Sequence, residues 1–499
     1  MGDGGERRLG RDSIDRLPPQ IRVPRYDWRR LETGMAHIGV GAFHRCHQAE
    51  YTDDMLEAQL GRWGVVGVNL RPPRLNRSLG AQDGLYTRTL RQGADSDTRV
   101  IGCLRRVVDV ETPADAATAI AALAAPEIDI ITLTLTEKGY CHVPATGALD
   151  LSNPDIVHDL AGGQGPRSAL GLLTLAFEHR RLTGAGPVTV LSCDNLPANG
   201  HLLGGVLTEF SRRRLPAACD WMAANVVFPC SMVDRIVPAT SAADLEYVAN
   251  LLGATDAGVV TGEPFKQWVI EDRFAGRRPP WDIAGAQFVP DVEPFERIKM
   301  RILNAAQSTL AHLGVLSGHD FSWQAVADPV LGRIVRRMLV EESAATLPAV
   351  EGMAVPEYIE TTFQRIANTA IHHRCHQIGT DGSQKIRQRL LAPLREQRAA
   401  GRPARLLTLA VAGWIAYVVA GAEVFGRRWQ PDDPFAPRLI ALAQACGSDI
   451  PALVHKILRI EEIFAADGSD AALVDDISEH LSGLLSPAPQ RYLAGVLGA

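Results

Sequence analysis

Cysteine is scarce in this chain, with eight residues among 499 and no Cys-x-x-Cys pair. That excludes a disulfide scaffold and paired-thiol redox or metal motifs, and it points to thiols in a reducing compartment. No charge sign dominates either: 51 Lys+Arg face 57 Asp+Glu, a net charge of -6. Such a balance provides no field for gripping phosphate backbones, so nucleic acid is not an expected partner. Residues 1–12 are polar and charged, without an apolar signal core. Internal repeats and low-complexity tracts are missing.

Long apolar runs are nearly missing as well. Leu406 to Ala422 stands out, with 17 uncharged residues between Arg405 and Glu423. A bilayer span needs about 20 apolar residues. This run is rich in Ala and Gly, so it reads as a buried helix of a helical domain. What is present is ordinary globular material, 46% hydrophobic and 22% charged, which excludes a disordered or fibrous chain. The length is about three times that of a usual domain, so two or three domains are expected. These bounds describe a soluble, cytoplasmic protein large enough to be an enzyme, a monomer or small homo-oligomer with no membrane partner.

The first structured stretch, Met35-Ala36-His37-Ile38-Gly39-Val40-Gly41, is a short apolar strand running into closely spaced glycines. A helical pattern follows from Phe43 to Leu60, then a second buried strand, Trp63 to Leu70. Further strands are expected at Val100 to Val110, Ile128 to Thr136 and Val188 to Ser192, with helices at Pro113 to Ala125 and Ala169 to Leu182. Strands alternating with helices argue for a largely parallel, doubly wound sheet. After about residue 295 helical spacing takes over, in Ile298 to Leu316, Trp323 to Glu342, Pro356 to Ile366, Leu406 to Val424 and Pro437 to Cys446. Phe274 to Trp281, rich in Pro, Gly and Arg, marks a surface excursion before the switch. The expected division is an α/β domain over residues 1–290 and a mainly α-helical domain over 291–499.

Gly39-Val40-Gly41-Ala42-Phe43-His44 carries the first two glycines of the dinucleotide fingerprint, for a tight turn and for close approach of a pyrophosphate to a helix start. The third position is His44 rather than Gly or Ala, so a ligand-free strand-to-helix turn fits the motif equally well. The second strand should be followed by an acid for the ribose 2′-hydroxyl. Instead it meets Arg71-Pro72-Pro73-Arg74. Two arginines suit a 2′-phosphate, which leans toward NADP, and they suit a solvated loop equally.

Glu296 to Gln307 opens the helical region. At about 100° per residue, Gln307 lies roughly 80° from Lys299 and Asn304 roughly 140°, so the three share one arc. A lysine whose pKa is lowered by burial can act as a general base. An asparagine amide can donate to a developing alkoxide. By spacing alone the segment reads as an amphipathic helix with a charged edge. A second asparagine, Asn195, ends a strand in the polar turn Ser192-Cys193-Asp194-Asn195-Leu196-Pro197-Ala198-Asn199-Gly200. The carboxyl end of a parallel strand faces the ligand crevice of such sheets.

With these blocks assembled, the chain resembles the polyol-specific long-chain dehydrogenase/reductase family, which includes mannitol 2-dehydrogenase and the fructuronate and tagaturonate reductases. The resemblance runs from about residue 35 to 480 in six ordered blocks: His37 to Arg45, Thr132 to Tyr140, Ser192 to Gly200, Phe228 to Ile236, Lys299 to Ser308 and Asp381 to Lys385. It implies a Rossmann-like N-terminal domain and zinc-independent hydride transfer between a nicotinamide cofactor, NAD or NADP, and a sugar alcohol, ketose or sugar acid. Lys299 resembles the family's general acid/base, Asn195 and Asn304 its oxygen-holding pair, and Glu296 a glutamate on the proton route. Asp234 and Lys385 match positions around the substrate. Ile38, Gly39, Val40, Gly41, Ala42, Phe43, His44 and Arg45, with Arg71, make up the expected cofactor contacts.

Two departures touch the substrate. The family usually has histidine at Gln307 and arginine at Gln377. Glutamine still hydrogen-bonds a hydroxyl but carries no charge. Arg374 or His376 is expected to line the pocket and partly replace that charge. Ile371 to His376 also invites a zinc reading through His372, Cys375 and His376, but no carboxylate completes the set, and the resemblance implies no metal. Asp53-Asp54 and Asp432-Asp433 read as solvated surface or helix-end charges, and Glu263 to Asp272 as a structural strand. The leading reading is a mannitol 2-dehydrogenase-like oxidoreductase. The alternatives are a fructuronate- or tagaturonate-reductase type and a non-catalytic dinucleotide- or sugar-binding protein.

Overall fold

A computed structural model describes residues 7–72, 74–144, 146–420, 429–465, 467 and 470–498. The expected helical stretch to Val424 ends among residues outside that set, as do Pro73 of the arginine loop and the first six residues of the polar start. The chain forms two compact units, Met1–Glu293 and Pro294–Ala499.

Among the described residues, the first unit has twelve strands: β1 (Thr33–Ile38), β2 (Gly64–Asn69), β3 (Tyr86–Gln92), β4 (Asp95–Ile101), β5 (Leu104–Asp109), β6 (Ile130–Leu133), β7 (Val188–Ser192), β8 (Val226–Val227), β9 (Ser231–Asp234), β10 (Val260–Gly262), β11 (Gln267–Glu271) and β12 (Gln287–Val289). Six form a wholly parallel sheet in the order β5-β2-β1-β6-β7-β8. Successive residues of β1 and β6 sink into opposite cores. Met35 and Ile130 join Val40, Met55 and Trp268, whereas Ala36, Ile38, Ile131 and Leu133 join Leu123, Leu172 and Phe177. Both faces are covered, which is why these strands read as continuous apolar runs.

Two small sheets, β10-β3-β4 and β12-β11-β9, stand beside the large one. They explain a correction: Val100 to Val110 is not one strand. The chain turns at Gly102, where an added Cβ would lie 2.7 Å from Pro24 Cγ, and Val100 and Ile101 end an antiparallel partner of β3 while β5 joins the large sheet. The helix expected over Phe43 to Leu60 is likewise broken at His47, into Ala42–Cys46 and Gln48–Ala58. The His47 ring donates from Nε2 to Gln267 O at 3.0 Å. Phe274 to Trp281 is an excursion whose last residue turns back inward, with Trp281 buried against Trp268 at 4.5 Å.

The reading of Asp53-Asp54 as solvated charges is also corrected. Asp53 is 2% exposed and accepts from Tyr26 Oη at 2.5 Å and Gly102 N at 3.0 Å. Asp54 pairs with Arg99 at 2.5 Å and Lys266 at 2.6 Å. One turn away, Glu50 pairs with Arg88 at 3.1 Å and Arg235 at 2.5 Å. Burial works against the Glu50 charge, but Arg88, Arg235, Lys266 and Arg99 hold its carboxyl down to about 2. One helix thus grips β3, β4 and the residues flanking β9 and β11 through charge.

In the second unit the uncharged run forms helix Arg405–Val419, with Leu406 through Val418 all buried. Glu342 caps its start, accepting from Leu406 N at 2.9 Å and Leu407 N at 2.7 Å, a carboxylate where the helix end is positive. The helix packs on Ala305–Leu316. An added Cβ at Gly413 would lie 2.8 Å from Leu313 Cδ2, so glycine sets that approach. Among the described residues no helix is long and apolar enough to cross a membrane. Asp433, expected as a solvated or helix-end charge, is buried rather than solvated and sits at helix starts, accepting from Ser383 N at 2.7 Å and Phe435 N at 2.9 Å.

Removing Glu50 would leave the buried Arg235 without that acid and Arg88 with Asp97 alone, at 2.8 Å. Glu50→Ala should cost about 3–5 kcal/mol in urea unfolding, against about 0–1 kcal/mol for Asp27→Ala, which breaks an exposed pair with Arg30. Equal losses would show that the buried network is not what holds these sheets.

Candidate active site

The turn after β1 is built around glycine for a steric reason. Gly39 has φ 92°, and an added Cβ would meet Thr134 O at 2.1 Å. Gly39 N donates to Val68 O at 2.8 Å, and Val40 N to Asn69 Oδ1 at 2.8 Å. Asn69 is held in turn by Asp109 at 3.0 Å. A Cβ at Gly41, by contrast, would meet just Gly39 O at 3.8 Å. The backbone in front of helix Ala42–Cys46 therefore lies open, as a diphosphate cradle requires.

His44, which takes the third glycine's place, is buried and stacks on His37 with ring centroids 3.4 Å apart. His37 bonds Thr132 Oγ1 at 2.7 Å and Gly39 O at 3.0 Å. Burial pushes His37 down to about 3, and burial and the neighbouring His37 push His44 well below its ordinary value. Both rings are neutral braces beneath the turn. Arg45 is buried as well, donating to Gly258 O and lying 5.6 Å from the Tyr86 ring centre. Arg71 is paired with Asp155, and Arg74 with Glu111 at 3.3 Å. Each arginine of the loop after β2 therefore already faces a carboxylate.

At the end of β7, Asp194 Oδ2 accepts from Tyr140 Oη at 2.6 Å and Leu135 N at 2.8 Å. Asn199 Nδ2 donates to Asp194 O at 2.9 Å and Ser231 O at 2.8 Å. These bonds tie the chain on both sides of half-buried Asn195. Burial is the main cause that lifts the Asp194 carboxyl to about 7. Cys193 is buried and its thiol is pushed well above its ordinary value, chiefly by burial, which suits packing rather than nucleophilic chemistry. Asp234 closes β9 opposite Gln267 and is 2% exposed.

In the second unit the segment from Glu296 departs from the ideal helix. Helix Glu293–Lys299 passes into a π-helical turn at Met300–Asn304 before Ala305–Leu316. An i→i+5 turn brings the fifth residue back close over the first, so Lys299 and Asn304 are drawn nearer to one side than the roughly 140° of an α-helix. Lys299, Asn304 and Gln307 are all buried. Asn304 Oδ1 is enclosed without a hydrogen-bond partner.

Farther along, Arg374, His376 and Gln377 are exposed and Lys385 is half-buried. Arg374 lies 5.1 Å from the Phe321 ring centre, and His376 Nδ1 meets Tyr417 Oη at 3.3 Å. Lys385 Nζ donates to Ile378 O at 3.3 Å. Among the described residues, His372, Cys375 and His376 do not gather as a metal-ligand set; Cys375 is buried, while His372 turns its edge to Phe321. Sequence reasoning missed His312, fully enclosed with both ring nitrogens unbonded and pushed down to about 3 by burial, Lys385 and Arg389. It also missed Ser308, which accepts from Arg389 at 3.0 Å. A lone histidine in the apolar run Ala305 to Leu316 was the available signal.

Residues 33–283 match the family model described as the mannitol dehydrogenase Rossmann domain, and residues 291–485 match the mannitol dehydrogenase C-terminal domain. The chain belongs to the mannitol dehydrogenase family. It is 40% identical to the D-mannonate oxidoreductase of Escherichia coli (strain K12), over 91% of this chain and 93% of that one. It is 36% identical to a mannitol 2-dehydrogenase of Phaeosphaeria nodorum, over 93% and 81%. The ternary complex of Pseudomonas fluorescens mannitol 2-dehydrogenase with NAD and D-mannitol superposes with a TM-score of 0.89 at 33% identity, covering 98% of this chain and 99% of that one. The family's enzymes are oxidoreductases of polyols and sugar acids, and this member is an oxidoreductase of that kind.

In this family member Asp194 keeps its proton up to about pH 7, whereas an unfolded aspartate titrates near pH 4. The group's contribution to stability is therefore complete below about pH 4 and is lost as pH rises through about 7. Asp194→Asn should flatten that part of a Tm-against-pH curve. An unchanged slope between pH 4 and 7 would put the proton elsewhere.

Proposed function

We propose that this chain is an NAD-dependent enzyme that interconverts a secondary hydroxyl of an open-chain sugar alcohol or aldonate with the carbonyl of the corresponding ketose or keto-uronate. The observation that supports the reading is the π-helical turn that separates Lys299 from Asn304, both of them buried. The backbone of Gly39, Val40 and Gly41 and the start of the helix at Ala42 would hold the dinucleotide. Ile38, Phe43, His44 and Arg45 shape and brace that turn. NAD supplies a hydride acceptor, or in its reduced form a donor. The carboxylate partners of Arg71 and Arg74 favour NAD over its 2′-phosphorylated form, although an acid for the 2′-hydroxyl is not supplied by that loop.

Lys299 takes the proton from the reacting hydroxyl in oxidation and returns it in reduction, with no metal needed to polarise the oxygen. By the family resemblance, Asn195 and Asn304 are the residues whose amides would donate to that oxygen as it gains negative charge, which lowers the barrier. Glu296, one helical turn before Lys299, provides a way for its proton to exchange with water. Asp234, Gln307 and Lys385 bind the remaining hydroxyls. Gln377 is uncharged, so anion recognition falls to Arg374 and Lys385, with His376, whose pKa burial lowers, as a neutral hydrogen-bonding partner.

That charge favours a second reading within the same chemistry, in which the substrate carries a carboxylate. The 40% identity to a D-mannonate oxidoreductase supports it. Oxidation of NADH or NADPH should be followed with fructose, fructuronate and tagaturonate. Preference for the keto-acids selects the second reading. Cofactor binding without turnover of any of them would instead favour a non-catalytic binding protein.

Lys299→Ala should lower kcat by about 10²–10⁴ while NADH binding, followed by fluorescence, stays close to wild type. Near-normal turnover would remove the lysine from the reaction. Arg374→Ala and His376→Ala should raise KM with little change in kcat, and unchanged kinetics in both would remove them from the pocket.

A further inference from the structure

Among the described residues, one group of metal-ligating side chains lies outside the residues used above. His201, Cys230 and Glu271 present an imidazole nitrogen, a thiol sulfur and a carboxylate oxygen, all within 4.8 Å of one another. They come from three separate places in the first unit: the start of helix Asn199–Arg214, the residue before β9, and the last residue of β11. Each is fixed by backbone contacts. Cys230 N donates to Glu271 Oε2 at 2.9 Å, and Glu271 N donates back to Cys230 O at 3.0 Å. The helix start is pressed onto the same turn, since an added Cβ at Gly200 would lie 2.4 Å from Pro229 O. Asn199 clasps Ser231 through both of its polar atoms, at 2.8 and 3.0 Å.

We propose that His201, Cys230 and Glu271 form a binding site for one divalent transition-metal ion of the zinc type. A thiolate, an imidazole and a carboxylate make a mixed set that suits zinc or cobalt far better than magnesium or calcium. Three protein ligands leave a fourth tetrahedral position for water on the side where His201 is exposed. Binding exchanges a proton for the metal at sulfur: the S–H bond of Cys230 breaks, the S–metal bond forms, and the proton goes to solvent. Arg273, whose guanidinium lies 3.5 Å from Glu271 and donates to Phe228 O at 2.9 Å, competes for that carboxylate. The ion would tie the helix start, and through Asn199 the Asp194 turn, to β9 and β11. The site is distinct from the hydride-transfer chemistry, for which no metal is expected.

The test is titration of chelator-treated full-length protein with Co²⁺. The expected result is one equivalent bound, with a thiolate-to-cobalt charge-transfer band that Zn²⁺ removes. Cys230→Ser should abolish the band, and Cys446→Ser, in the second unit, should keep it. His201→Ala, at an exposed position, should raise the Kd for Co²⁺ by about tenfold or more, because even the groups behind a ligand are worth that much. No band in the wild-type protein, a band that survives Cys230→Ser, or an unchanged Kd in His201→Ala would overturn the site.

Discussion

The buried charges of helix Gln48–Ala58 are the constraint on which the first unit depends. Glu50, Asp53 and Asp54 face Arg88, Arg99, Arg235 and Lys266, and those four cations belong to both small sheets or to the residues flanking their strands. Ions removed from water are costly, so each persists because it is paired and hydrogen-bonded on several sides. The result is a directional lock. Apolar packing alone would allow the small sheets to slide, whereas an acid held between two guanidiniums has one arrangement. Asp234 sits beside Arg235, so the same lock fixes the end of β9.

The second unit solves a similar problem with backbone rather than charge. A π-helical turn inserts one extra residue's worth of arc between Lys299 and Asn304. Such turns are costly in packing and are frequent at functional sites. Two others interrupt this unit, at Met338–Ser343 and Arg387–Leu391. The first presents Glu342 to the start of the long apolar helix, and the second presents Arg389 to Ser308. Arg301, Asn304, Glu342 and Arg389 are thus buried polar groups carried on turns where the helix repeat is broken.

Much of the framework was legible because it follows from local rules. The parallel sheet could be read from apolar runs at β1, β2, β6 and β7, and the glycine turn from its spacing. What failed did so for non-local reasons. Val100 to Val110 looks like one strand because nothing in those residues announces Pro24 pressing on Gly102. Asp53-Asp54 and Asp432-Asp433 look solvated because acidic pairs usually are, while the partners that bury Asp53 and Asp433 lie far away in sequence. In the candidate site Lys299 and Asn304 are buried, which their spacing along the chain does not announce. His312 was passed over because one histidine in an apolar run is most simply a packed side chain.

By itself, the sequence determined the family, the alternation of helices with strands β1, β2, β6 and β7 of the large sheet, and the residue types available for chemistry, because each is written in short-range spacing and in blocks that stand in a set order. Tertiary structure decided which of those residues are buried, which charges are paired, and where the helix repeat is broken. It also gathered His201, Cys230 and Glu271 from three distant positions. Those outcomes depend on contacts between residues tens to hundreds of positions apart, and spacing along the chain carries no measure of distance across it.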